Sequence, residues 1–95
     1  MNTIADSLGA PMSLPDSFSI ARHHVDRIVR IDDDMMRQSM ADMLDALKIM
    51  AEPACAATLA AACGPLKDEL EGKQVAVIAC GSNIGLEKFT TLLAG

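Results

Sequence analysis

The run Val75-Ala76-Val77-Ile78-Ala79-Cys80 is apolar throughout and stops at Gly81-Ser82-Asn83, and no other stretch restricts the fold so strongly. Six residues are too few for a typical helix. With Gln74 in front, the run has the continuous apolar character of a strand buried on both faces, as in a parallel sheet. The one other β-branched run is Ile28, Val29 and Ile31, about four residues. Two strands of that length make a poor sheet. The sequence therefore predicts an α/β class in which a partial parallel sheet with flanking helices is a piece of something larger.

The intervening segments have helical periods. The first 15 residues hold Gly9, Pro11 and Pro15 and read as a lead-in loop. Asp16 or Ser17 can cap a short helix reaching about His24. Asp32, Asp33 and Asp34 suit the start of another helix, where acids meet free N–H groups and the positive end of the dipole. A metal site is the sharper reading of this triplet, but no glycine-containing calcium loop follows it. Met36, Met40, Met43, Leu47 and Met50 then repeat at steps of four and three, an apolar stripe that predicts a core. Pro53 suits a first helical turn, and the helix it opens runs to about Cys63, where Gly64-Pro65 interrupts it. Small side chains on all its faces predict shelter on most sides. Leu66 to Leu70 can add a short turn, and Leu86, Phe89 and Leu93 mark a last helix. We read residues 1–95 as a single partial domain, with 1–15 the lead-in loop and 16–95 an α/β sub-domain.

Composition excludes several classes of partner. The 95 residues carry a formal net charge of −5 and no basic cluster, so nothing marks a nucleic-acid interface. No apolar stretch approaches the roughly 20 residues of a membrane helix, and the N-terminus lacks the pattern of a secretory signal. We expect a soluble, cytoplasmic chain with neither a nucleic-acid nor a membrane partner. The three cysteines form no Cys-x-x-Cys pair, which argues against structural zinc and a disulfide framework. His23 and His24 are adjacent and point apart on a helix, so they do not share a metal. With only Phe18 and Phe89 aromatic and seven methionines, the core is aliphatic and compliant.

Four short motifs occur in a telling order: Thr3-Ile4-Ala5-Asp6, then Val25-Asp26-Arg27-Ile28-Val29, then Glu52-Pro53-Ala54, then Cys80-Gly81-Ser82-Asn83. In that order and at that spacing the chain resembles the threonine/serine dehydratases, lyases that depend on pyridoxal phosphate. The resemblance covers nearly the whole chain. It implies the C-terminal part of the large domain in the tryptophan-synthase-β-like fold. It also implies cofactor contacts at Cys80, which would face the pyridine nitrogen, and at the turn Gly81, Ser82 and Asn83. Glu52 would lie on the cofactor side, although a helix start explains that acid too. Asp6 would stand near the substrate, with Ser7 where the family usually has glycine. A neutral thiol at Cys80 gives the ring nitrogen a hydrogen-bonding partner without holding it protonated as a carboxylate would.

Two parts of the machinery are missing from this pattern. The family's cofactor-bearing lysine follows a serine and one further residue, whereas Lys48, Lys67, Lys73 and Lys88 follow Leu47, Leu66, Gly72 and Glu87. The six glycines are isolated, so there is no glycine-rich phosphate cradle. The resemblance thus implies a piece of a dehydratase, beginning mid-domain, with no catalytic residue of its own and binding no cofactor alone. Its expected partner is a complementary enzyme segment, or a second copy in a two-fold dimer. The alternative class is a small self-associating interaction module without catalysis.

Overall fold

The computed structural model describes residues 2–95. Its elements are a 3-10 turn at Asp6–Leu8 followed by five helices: α1 (Pro15–His24), α2 (Asp33–Leu47), α3 (Pro53–Cys63), α4 (Lys67–Leu70) and α5 (Leu86–Ala94). Among the described residues there is no β-strand. The expected partial parallel sheet is therefore corrected to an all-helical arrangement. A strand exists only through a neighbour that takes its N–H and C=O groups. Residues 74–80 are exposed at every position, and no backbone–backbone hydrogen bond is made by 74–80 or by 26–31. The apolar run is exposed and its backbone is unpaired.

The core lies where α2 crosses α3. Met40, Met43, Ala51, Cys55, Ala56 and Phe89 form one buried cluster, and Ala5, Met36 and Ala60 form a second. Alanines on α3 let the neighbouring backbones approach closely, and the methionines of α2 adapt to the remaining space. Only Cys63 of α3 is exposed, in keeping with the shelter expected for this helix. α5 joins the first cluster through Phe89, which is 2% exposed.

Helix ends follow local rules. Asp32 caps α2 by accepting from the Met35 N–H at 2.8 Å. Asp33 faces the lead-in instead, accepting from the Thr3 hydroxyl at 2.5 Å and the Ile4 N–H at 3.2 Å. Pro15 and Pro53 open α1 and α3 as first-turn prolines. α2 stops at Lys48, which is left-handed at φ 58° and donates its N–H to Leu44 O at 3.1 Å. That stop corrects the methionine stripe. Met36, Met40 and Met43 are buried, but Leu47 ends the helix and is exposed, and Met50 packs on the core from beyond it.

A non-glycine residue pays roughly 1–2 kcal/mol for a left-handed backbone, against roughly 0.5–1 kcal/mol of extra chain entropy for glycine. Lys48→Gly should thus stabilise the chain by about 0.5 kcal/mol, read as a higher urea midpoint at unchanged slope. Phe89→Ala should destabilise it by about 3–5 kcal/mol and release α5, read as lost helical ellipticity together with a lower midpoint.

Candidate functional site

The two later motifs meet in space. Glu52 is the residue before Pro53 and has extended backbone, so its side chain leaves α3 at the helix N-terminus. Its N–H donates to Gly81 O at 3.2 Å. Its carboxylate lies where a β-carbon on Gly81 would stand. Gly81 is needed here for close approach, since any side chain would have to displace the acid.

Cys80 precedes this contact and is an exposed thiol. The sequence places it at the carboxyl end of a buried strand; it stands instead at the end of an exposed, irregular segment, since no sheet covers residues 74–80. The segment is nonetheless attached to α3. Thr58 Oγ1 donates to Ile78 O at 3.2 Å and to Cys55 O at 3.1 Å. Ile78 and Gly81 are thus the two points at which the run is fastened to α3. Beyond them Ser82 O accepts from the Ile84 N–H at 2.8 Å, which tightens the turn into α5. Asn83 is exposed, and α5 is capped by Gly85 without a side-chain hydrogen bond, so Asn83 does not cap that helix.

Asp6 sits in the 3-10 turn and is exposed. Its carboxylate pairs with Lys88 Nζ at 3.5 Å, in the first turn of α5. The structure therefore joins Glu52 to Gly81 directly and connects Asp6 to the helix that follows the turn, without joining Asp6 to Glu52. Lys48 Nζ donates to Asp45 O at 2.6 Å.

Sequence reading missed two positioning residues. Thr58 is one of the small residues of α3, and its signal in the sequence is a lone hydroxyl in an alanine-rich helix. A helix start needs only one capping acid, so the two surplus acids among Asp32, Asp33 and Asp34 are the available signal for Asp33.

Comparison with known proteins gives this geometry a family. The sequence matches the family described as pyridoxal-phosphate dependent enzyme over residues 1–81. The chain belongs to that family. It is 46% identical over 89 residues to a phenylserine dehydratase of Ralstonia pickettii, covering 94% of this chain and 27% of that protein. It is 31% identical over 93 residues to an L-threo-3-hydroxyaspartate ammonia-lyase of Saccharomyces cerevisiae, covering 98% and 28%. It is also 31% identical over 93 residues to a serine racemase of Dictyostelium discoideum, covering 97% and 28%. The chain thus spans little more than a quarter of these relatives' length. No solved structure matches it significantly. Among the described residues, no helix is long and apolar enough to cross a membrane.

Because the atoms displaced at Gly81 are the far end of a flexible side chain, Gly81→Ala should move Glu52 rather than unfold the chain. The expected stability change is within about 0.5 kcal/mol, with the Glu52 side-chain methylene resonances shifted and those of the Met40 and Met43 methyl groups unmoved.

Proposed function

We propose that this chain is the cofactor-facing C-terminal part of a pyridoxal-phosphate-dependent dehydratase acting on a β-hydroxy amino acid, and that it has no turnover by itself. The observation that carries the reading is the Glu52–Gly81 contact, which draws two separate family motifs to one point beside Cys80. The residues fit the ring end of the cofactor. Cys80 supplies an accessible thiol next to a glycine turn, with the acid of Glu52 held one residue away. They do not fit the phosphate end, for which neither a glycine-rich loop nor a basic cluster is available in the sequence.

In this reading the cofactor, when bound, supplies the electron sink for β-elimination. Cys80 offers the ring nitrogen a neutral hydrogen-bonding partner. Gly81 keeps the backbone low so that Glu52 can lie across it, and the Thr58 and Glu52 bonds fix the height of the segment over α3. Asp6 would orient the substrate, with Lys88 holding its carboxylate toward α5. The cofactor-bearing lysine, the phosphate loop and the substrate domain would come from a complementary segment.

A self-associating module is the second reading. It is favoured by large apolar residues left in solvent, Met12, Leu14, Phe18 and Ile20 among them, a surface that soluble monomers seldom leave bare. Such a chain would be dimeric by light scattering without any added segment.

The purified chain is expected to release no ammonia from serine, threonine or phenylserine, and to give no stoichiometric shift in the absorbance of added pyridoxal phosphate. Specific turnover by the chain alone would overturn the reading. In an enzyme rebuilt with the missing part, Cys80→Ser should keep activity within about threefold, while Cys80→Asp should lower it by roughly tenfold or more, because it buries a carboxylate and changes the protonation of the ring nitrogen. Activity that follows only the folded fraction of each variant would reduce Cys80 to a packing residue.

A further inference from the structure

The three acids at the start of α2 have three different partners. Asp32 accepts from the Met35 N–H and caps the helix, and Asp34 pairs with the Arg37 guanidinium at 2.6 Å. Asp33 does neither. Its two oxygens go to separate donors in the lead-in, Oδ1 to the Thr3 hydroxyl at 2.5 Å and Oδ2 to the Ile4 N–H at 3.2 Å. The Thr3 hydroxyl also accepts from the Ala5 N–H at 3.3 Å. Because an N–H can only donate, the single hydroxyl proton of Thr3 is left for Asp33, and both oxygens of the acid act as acceptors. A carboxylate is the side chain that offers two acceptors in this fork.

The chain that follows this clamp has little to hold it. The turn Asp6–Leu8 is three residues long, touches α3 and buries none of its residues. Internally it is tied by the Leu8 N–H to Ala5 O at 2.9 Å and the Gly9 N–H to Asp6 O at 3.0 Å, and a single turn is too short to fix its own direction. Asp6 meets Lys88 at 3.5 Å, but that pair is exposed and weak by itself. The direction of the turn is therefore set where the chain enters it, by Ala5 buried in the cluster of Met36 and Ala60 and by the bonds to Asp33 just before it.

We propose that Asp33 is a positioning residue: its carboxylate clamps Thr3 and Ile4, sets the direction of the turn at Asp6–Leu8, and thereby fixes where Asp6 stands toward the substrate. The clamp is a property of this chain. The last step rests on the dehydratase reading, which gives Asp6 its place near the substrate, and adds the residue that holds it there.

The test has two arms. In the chain alone, backbone order parameters from NMR relaxation are compared for the parent and its variants. Asp33→Ala should lower the values of Ser7 and Leu8, neither of which bonds to Asp33, from roughly 0.85 to below about 0.6, with Met40 and Met43 in α2 unchanged. Thr3→Val, which leaves α2 intact, should do the same even where Asp33→Ala proves unstable, and Thr3→Ser should restore the parent values. Asp33→Asn keeps an acceptor for one donor only and should fall between. In the second arm the chain replaces the matched region of the Ralstonia pickettii phenylserine dehydratase. There Asp33→Ala should raise KM for phenylserine roughly tenfold and lower kcat by less than about threefold, whereas a mere loss of folded enzyme lowers kcat at unchanged KM. Order retained at Ser7 and Leu8 in both Asp33→Ala and Thr3→Val overturns the proposal. So does order lost equally along α2, since Asp33 then supports only its own helix. Order lost at the turn with KM unmoved overturns the step from the turn to the substrate. A rebuilt parent without turnover removes the dehydratase reading instead, and the first arm still decides the clamp.

Discussion

The contact between the methionines of α2 and the alanines of α3 holds the rest of this molecule in place. Neither helix carries large, stiff side chains at the crossing. Met40 and Met43 are almost completely buried against Cys55 and Ala56, and Met36 lies near Ala60. Unbranched thioethers fill whatever space the small residues leave, so the two helices pack without requiring a single complementary shape. Phe89 then anchors α5 to the same cluster, and Ala5 anchors the lead-in to the second. Removing the crossing would leave neither the turn at Gly81 nor the segment at Thr3 to Asp6 with a surface to rest on.

The candidate site is a consequence of that arrangement. α3 has polar groups at two useful places, the Glu52 backbone and acid at its N-terminus and the Thr58 hydroxyl in its second turn. Each meets residues 78–81. The same helix that closes the core thus fixes the segment leading to Cys80. Asp33 does a comparable task for the N-terminal motif by binding Thr3 and Ile4 from the start of α2. Asp33 and Thr58 lie outside all four motifs, so no motif comparison would single them out.

Order and exposure divide between the helices and the segments that join them. α2, α3 and α5 are packed, whereas residues 26–31 and 74–80 make no backbone–backbone hydrogen bond. Helices satisfy their own backbone groups, so they form without a partner from distant chain. Strands cannot.

That difference separates what the sequence decided from what tertiary structure decided. The helices from Pro15, Asp33, Pro53 and Leu86 were legible because caps, first-turn prolines and apolar periods act within a few residues. The four ordered motifs were legible as a family likeness for the same local reason. The state of residues 74–80 was not: Val75 to Cys80 reads as a buried strand, but whether it pairs depends on a backbone edge from distant chain, and among the described residues no backbone group bonds to it. Nor could the sequence show that Leu47 faces water, because the left-handed Lys48 turns the chain there. The meeting of Glu52 with Gly81 was also hidden, since 28 intervening residues must first fold α3 and return beside it. Local rules set the elements; only the three-dimensional arrangement set which backbone groups found partners.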